Sequence, residues 1–378
     1  MIPFNRPSVE GAELEHVQRA VASGHSSAKG PYSDRVSALL RDALGAEDVL
    51  MTTSCTAALE LAAMLLDLGP GDTVIVPSFT FVTTAAAFAR YNVELRFADI
   101  ARDTLGLDPE SVRSLIDPTV RAVVPVHYAG IGCDMDGLRE VVADYDVAII
   151  EDNAHGLFGS LGDELLGSIG RMSTLSFHET KNFTCGEGGA IVLNDERDVE
   201  RAHILYDKGT NRRAFTKGEV DKYTWVDSGS SFGLSDLLAA YLFGQLEIAD
   251  RILQKRRAAY ERYCELLKGH DGELGFELMR IPPGRSQAYH MFYVLLPTRE
   301  TRDAVLAELK TRGVYATFHY VPLHSSPMGE RLALRPFDCS VTDDVSARLI
   351  RLPFFTSIEK HDIDYVAETF LEVLRSTT

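Results

Sequence analysis

Between residues 49 and 194, short runs of β-branched and aliphatic residues alternate with stretches whose apolar positions recur at helical spacing. The runs Val49–Thr53, Thr73–Val76, Val93–Phe97, Arg121–Val126, Val147–Ile150, Ser173–Phe177 and Ala190–Leu193 predict seven strands. Helical patterns such as Ala57–Asp67, Thr83–Arg90 and Met135–Asp144 separate most of them. This alternation predicts an α/β domain around a mainly parallel sheet covered on both faces. The last two runs lie too close for a crossover helix, so one of them is expected to be antiparallel and the sheet mixed. After Gly233 the texture changes, and Ser235–Lys268 predicts a long helix leading into a smaller α+β domain. That domain is expected to hold strands near His290–Leu296 and Val314–Tyr320, with helices near Arg302–Arg312 and Lys360–Ser376. The expected division of the chain is 1–245 and 246–378.

Composition narrows the class. A chain of 378 residues, 45% hydrophobic and 25% charged, is an ordinary globular protein large enough for two cores. A formal charge of −17 argues against nucleic acid or an anionic membrane as partner, because such partners are held by excess Lys and Arg. An anionic ligand therefore needs a local basic exception. Residues 201–222 supply one, with Arg201, Lys208, Arg212, Arg213, Lys217 and Lys222 against Asp207, Glu219 and Asp221. The five cysteines (Cys55, Cys133, Cys185, Cys264 and Cys339) are scattered and form no C-x-x-C pair, which fits a reducing cytoplasm. Neither a secretory leader nor an apolar run of ~18 residues is read in the chain, so export and membrane anchoring are not expected.

The chemistry centres on two segments. The strand ending at Ile150 runs into Glu151-Asp152-Asn153-Ala154-His155, placing carboxylates and an imidazole at the carboxyl edge of a buried strand, where open α/β sheets bind ligands. Alone, Asp152 reads equally well as a helix cap. Lys181 lies in Ser-Phe-His-Glu-Thr-Lys-Asn-Phe-Thr-Cys-Gly-Glu-Gly-Gly, Ser176–Gly189, and a lysine in a confined site loses its proton readily enough to act as a nucleophile. A carboxylate such as Asp152 is what a pyridinium nitrogen needs to keep its proton. In Thr52-Thr-Ser-Cys-Thr-Ala-Ala-Leu59 a strand gives way to small hydroxyl residues opening a helix, a geometry that suits a phosphate or an ordinary cap. Ser176 offers a further hydroxyl, and Phe81 reads as a ring cover or as core.

Together these residues resemble the pyridoxal phosphate-dependent nucleotide-sugar aminotransferases of the DegT type, which have the aspartate aminotransferase fold, PLP fold type I. The resemblance rests on Thr-Ser-Cys-Thr-Ala-Ala-Leu, Pro-Ser-Phe-Thr-Phe, Pro-Val-His-Tyr-Ala-Gly (Pro125–Gly130), Glu-Asp-Asn-Ala-His and Ser-Phe-His-Glu-Thr-Lys-Asn, and spans nearly the whole chain. Lys208-Gly-Thr-Asn-Arg212, Asp221-Lys-Tyr-Thr-Trp225, Phe318-His-Tyr-Val-Pro-Leu-His324 and Arg351-Leu-Pro-Phe-Phe355 look most like the branch that aminates dTDP-4-keto-6-deoxyglucose at C4. The resemblance implies pyridoxal 5′-phosphate bound to Lys181, with pyridoxamine 5′-phosphate arising between two ping-pong half-reactions and glutamate as amine donor. It implies that Asp152 pairs with the ring nitrogen, His155 reaches the ring hydroxyl and Phe81 stacks on the ring. The phosphate would lie on the backbone of Cys55 and Thr56 and on Ser176. It implies a homodimer with shared sites, in which Ser231 stands where the family has an Asn reaching the neighbouring subunit's phosphate. Asn153 departs from the family's usual Ala. Asn211 and Arg212 match the branch motif and are expected at the substrate.

His319, Tyr320 and His324 lack the Cys or carboxylate company of a metal site, so sugar or interface contacts are expected of them. A sugar dehydratase of the same fold would carry His where this chain has Lys181. A dinucleotide oxidoreductase would need Gly-x-Gly-x-x-Gly at the early turn, which here reads Ser-Cys-Thr-Ala. A non-catalytic binding protein on this fold is opposed by the Lys181–Asp152 pair.

Overall fold

The computed structural model describes residues 1–332 and 337–377. Within the expected span 246–378, residues 333–336 and 378 lie outside the described residues. Seven strands form the main sheet: β1 (Asp48–Thr52), β2 (Thr73–Pro77), β3 (Glu94–Ala98), β4 (Val120–Val123), β5 (Ala148–Asp152), β6 (Met172–Ser176) and β7 (Gly189–Leu193). Their order is β1-β7-β6-β5-β4-β2-β3. The pairs β2–β3, β2–β4, β4–β5 and β5–β6 are parallel, whereas β7 runs antiparallel to both β6 and β1. The expected mixed sheet is therefore present, and β7 is its reversed strand.

Every residue of β2, β5 and β7 is buried, as strands covered on both faces must be. Side chains alternate between the layers. Ile191 and Leu193 of β7 join the core under helix α3 (Cys55–Leu65), while Ala190 and Val192 join the core with Val36 and Leu40. Two amino-terminal helices that the sequence pattern left unread, Glu13–Ser23 and Pro31–Leu44, pack with the helix Asp236–Leu246 on that second face.

A smaller antiparallel sheet comprises β8 (Glu277–Leu278), β9 (Phe292–Leu295) and β10 (Leu349–Leu352), in that order. Its core takes in the helices Ala249–Leu267, Arg299–Thr311 and Lys360–Thr377. The expected single helix Ser235–Lys268 is two helices, Asp236–Leu246 and Ala249–Leu267, because Ile248 leaves helical geometry (φ −119°, ψ 27°) where an apolar helix meets a charged one. The strand near Val314–Tyr320 does not form. Val314 bridges Ile2 and Thr317 bridges Arg351, but Phe318 is exposed and no ladder continues. The strand that completes this sheet is β10, carried by Leu-Ile-Arg-Leu.

Candidate active site

The site forms where three strand ends meet. Gly189, the first residue of β7, pairs with Thr52 at the end of β1 on one side and with Ser176 at the end of β6 on the other. A Cβ on Gly189 would lie 2.3 Å from the Ser54 carbonyl carbon and 2.4 Å from the Cys55 nitrogen, so only glycine lets the start of α3 sit this close to the ladder. Ser54 caps α3 through its side chain, accepting from Ala57 N. The N–H groups of Cys55 and Thr56, the first two of the helix, have no intrahelical acceptor and form an anion cradle. Cys55 itself touches Thr174 Oγ1 at 3.5 Å, and burial raises its thiol pKa, so it stays protonated.

Asp152 ends β5 in register with Thr174 and is 5% exposed. Thr84 Oγ1, at the start of the helix Thr83–Ala89, donates to Asp152 Oδ2 at 2.7 Å, and the Ala154 N–H donates to Oδ1 at 3.2 Å. Thr84 has given its proton to the carboxylate bond, so Thr80 Oγ1, 2.9 Å away, must be the donor to Thr84. Burial pushes the Asp152 carboxyl above its ordinary value; the Thr84 and Ala154 bonds and the Lys181 amine oppose the shift without cancelling it.

Glu151 fixes this strand end from behind. Its buried carboxylate accepts from Gly167 N at 2.8 Å, Ile169 N at 2.8 Å and Gly170 N at 2.7 Å, and from His127 Nε2 at 2.8 Å. His127 Nδ1 accepts the Cys133 N–H at 3.2 Å, which leaves Nε2 as the nitrogen that donates to Glu151.

Lys181 follows the turn after β6 and lines a small cavity with Ser176, His155, Asn182 and His290. Burial lowers its amine to about 8; the Asp152 carboxylate acts to raise it, and Arg351 lowers it further. His155 stacks on His290 at 4.2 Å with the rings 15° apart, and its buried Nδ1 has no hydrogen-bond partner. Burial, reinforced by Lys181, His319 and Arg351, holds His155 neutral. The His290 Nδ1–H donates to Asn182 Oδ1 at 3.0 Å, tying the residue after the lysine to the smaller sheet's side of the cleft.

The expected residues thus divide into two groups. Lys181, Asp152, His155, Ser176, Cys55 and Thr56 gather at the strand ends. Tyr320 adjoins them through Tyr128, whose ring meets both Tyr320 and His155; Tyr320 also stacks on His319 at 3.8 Å, with the half-exposed Phe81 ring 6.4 Å away. His324 is turned to Ser78, with Nδ1 2.7 Å from the hydroxyl. Asn211 closes its own loop, accepting from Thr224 N at 2.7 Å and donating to Lys222 O at 3.1 Å. Arg212 lines a separate cleft of about 460 Å³ with Lys29, Arg213 and Lys217. Ser231 is exposed and bridges Asp207. Among the described residues, no hydrogen bond, ion pair or ring contact joins Asn211, Arg212 or Ser231 to the Lys181 group.

Thr84, Asn182, His290 and Arg351 were not assigned a role from the sequence. Thr80 and Thr84, four apart, gave the one local signal, and Arg351 lay inside a motif already noted. Among the described residues, no cluster of three or more His, Cys, Asp or Glu has the geometry of a metal site, and no helix is long and apolar enough to cross a membrane.

The residues fit pyridoxal phosphate. A buried carboxylate stands ready for a ring nitrogen, an unpartnered imidazole nitrogen for a ring oxygen and an open helix start for a phosphate, all around a lysine poised to lose its proton. This arrangement on a seven-stranded mixed sheet defines an aminotransferase of PLP fold type I. The chain belongs to the DegT/DnrJ/EryC1/StrS aminotransferase family, whose model matches residues 7–371. Pyridoxal phosphate is its cofactor, with the pyridoxamine form as the alternate state.

Solved structures agree across the full length. The chain is similar to Spr1654 of Streptococcus pneumoniae, assigned as a sugar aminotransferase and solved in its PMP form (25% identity, TM-score 0.93, 100% of each chain covered). It is similar to the aminotransferase TlmJ from Streptoalloteichus hindustanus (28%, TM-score 0.92, 100% of each chain). It is also similar to DesV of S. venezuelae (27%, TM-score 0.87, 99% of this chain and 98% of that one).

Proposed function

We propose that this aminotransferase moves the amino group of glutamate to C4 of dTDP-4-keto-6-deoxyglucose, giving a dTDP-4-amino-4,6-dideoxyhexose in two half-reactions. The observation that carries the reading is the position of the branch-like segments 318–324 and 351–355. His319 receives a hydrogen bond from Arg351 at 2.6 Å, Tyr320 packs toward Phe81, and Tyr128 touches both His319 at 3.1 Å and the His155 ring, which supports a place for both segments beside the Lys181 group.

When bound, pyridoxal phosphate supplies the electron sink that makes the donor's α-proton acidic. The chain's residues do the rest. Asp152, ionised through its bonds from Thr84 and Ala154, would hold the proton on the ring nitrogen. Cys55 and Thr56 N–H groups with Ser176 would hold the phosphate. His155, kept neutral by burial, would offer its Nδ1 to the ring oxygen without adding charge. The Lys181 Nζ, held at about 8, would take the proton from the donor's α-carbon and later deliver one to the sugar carbon.

We assign a homodimer with shared sites. The stretch from Phe215 to Ser231 supports it: Tyr223 (51% exposed), Trp225 (76%) and Val226 present more apolar surface than a solvated loop needs. Ser231 would reach the partner's phosphate, and Asn211 and Arg212 the partner's nucleotide sugar. The division 1–245 and 246–378 is proposed on the break at Ile248 between two helices. A second reading, a different nucleotide-linked ketosugar or amination at C3, is supported by the range of aminotransferases whose structures the chain resembles at similar identity.

Incubation with glutamate and dTDP-4-keto-6-deoxyglucose, with the product's amine position read by NMR, tests the reading. Lys181→Ala and Lys181→Arg are expected to abolish transfer and the visible absorbance that borohydride bleaches. Transfer by either variant would refute the role of Lys181, and product aminated at C3 would select the second reading.

A further inference from the structure

His155 is a buried imidazole oriented by packing. Neither of its ring nitrogens is hydrogen-bonded among the described residues, so no polar contact sets the plane of the ring. Two aromatic neighbours set it instead. The Tyr128 ring meets it edge-on at 5.9 Å and 67°, and the His290 ring lies flat against it at 4.2 Å and 15°. Burial holds His290 neutral as it does His155, so two uncharged rings stack.

His290 is itself tied down on two sides. Asn182 Nδ2 donates to the Ala288 carbonyl at 2.5 Å, which turns Oδ1 toward His290; an amide oxygen only accepts, so the His290 proton is on Nδ1, 3.0 Å away. The His290 carbonyl accepts from Arg256 Nη2 at 2.6 Å, and the Tyr289 carbonyl from Arg256 Nε at 2.8 Å. Arg256 is buried in the helix Ala249–Leu267 and pairs with no carboxylate among the described residues; Thr356 Oγ1 takes its Nη1 at 3.1 Å. Tyr289 has a φ of 51°, in the left-handed region that bulky residues avoid, and the guanidinium bound to both carbonyls ties down the turn that contains it. The smaller sheet's helix thereby fixes where His290 stands.

We propose that His290 is a positioning residue for amino transfer: its ring face sets the plane of His155, and its Nδ1–H, through Asn182, sets the backbone from which Lys181 projects. The proposal rests on the aminotransferase reading. In pyridoxal phosphate the ring hydroxyl and the aldehyde stand on adjacent ring atoms, so the imidazole and the amine that meet them must keep a fixed offset. One side chain in contact with His155 and with the residue after Lys181 holds that offset. Filling the core would need the volume of a ring, but neither a donor facing Asn182 nor a flat face against His155.

Two substitutions separate the face from the donor. His290→Phe keeps the face and loses the bond to Asn182; His290→Asn keeps a donor in place of Nδ1 and loses the face. Each is compared with the unaltered protein in two measurements: the pH midpoint of the visible band of the pyridoxal phosphate-loaded protein, and the rate at which that band grows when cofactor-free protein meets pyridoxal phosphate. His290→Asn is expected to move the midpoint by roughly 0.5–1 unit, the worth of one hydrogen bond to the ring oxygen, with the rate within about twofold. His290→Phe is expected to keep the midpoint within about 0.2 unit and to slow band growth by roughly 3- to 10-fold. Asn182→Ala removes the same bond from its other end and should repeat the His290→Phe result, which keeps the test open if neither His290 variant folds. Variants that do not divide the two measurements in this way would overturn the proposal, as would an Asn182→Ala protein whose band grows at the unaltered rate. An unaltered protein that forms no visible band would instead overturn the aminotransferase reading on which the proposal rests.

Discussion

Thr84→Val tests the carboxylate at the centre of the site with the smallest change of shape. Thr84 Oγ1 is the side-chain donor to Asp152 Oδ2, at 2.7 Å; without it the carboxylate keeps the Ala154 N–H at 3.2 Å. A hydrogen bond to a buried charged group is worth ~1.5–3 kcal/mol. At ~1.4 kcal/mol per pK unit, its loss lifts the Asp152 carboxyl by roughly 1–2 units. Burial has already raised that carboxyl, so the further lift brings it toward the working pH range. An unionised Asp152 cannot hold the ring nitrogen's proton by charge. The expected result is a fall in kcat of roughly 10- to 100-fold, with the acid limb of the pH–kcat profile moved up by roughly 1–2 units. Steady-state rates of glutamate-dependent amine transfer from pH 5 to 9 read both. Thr84→Ser restores the hydroxyl and should restore the profile. If Thr84→Val kept its acid limb and its kcat, the Thr80–Thr84–Asp152 relay would have no part in ionising Asp152.

Other outcomes follow from the same geometry. In the cofactor-free chain, Lys181 is held at about 8 against 10.5 for an ordinary lysine, so below pH 8 folding confines a charged amine. The unfolded chain binds the extra proton between those values, and stability therefore rises with pH across that window. Thermal melts should show Lys181→Met above the unaltered chain at pH 7, with the gap narrowing from about pH 8 to about 10.5. Gly189→Ala forces the Ser54–Cys55 peptide away from the ladder, since its Cβ would meet the Cys55 nitrogen at 2.4 Å. Its pyridoxal phosphate affinity, read by equilibrium dialysis, should fall by roughly tenfold or more; unchanged affinity would show that the phosphate does not use this turn.

The main sheet was legible because its strands are buried on both faces, which leaves uninterrupted apolar runs such as Thr73–Val76. β10 was not, because four residues containing an arginine make no such run; Arg351 is tolerated there only by its contacts with His319 and Phe4. The opposite error came from Val314–Tyr320, whose composition suits a strand but which is held by single bridges at Val314 and Thr317. Local propensity cannot report whether a neighbour is available. In the site, Lys181, Asp152 and His155 were readable since each sits in a short segment with its chemistry intact. Thr84, His290 and Arg351 draw their meaning from residues 68, 135 and 32 positions away, namely Asp152, His155 and His319, and only folding brings those partners together.

The reversed strand β7 acts as a spacer bar. Through Gly189 it is hydrogen-bonded at once to the end of β1, which leads into the turn proposed for the phosphate, and to the end of β6, which leads to Lys181. The separation between that turn and the reactive amine is thereby fixed by ladder geometry and not by any loop. If the segments 211–226 and 314–324 meet the acceptor as proposed, they can be exchanged or retuned while the two proposed attachment points of the cofactor keep their distance, so acceptor range and cofactor chemistry can change independently on this scaffold.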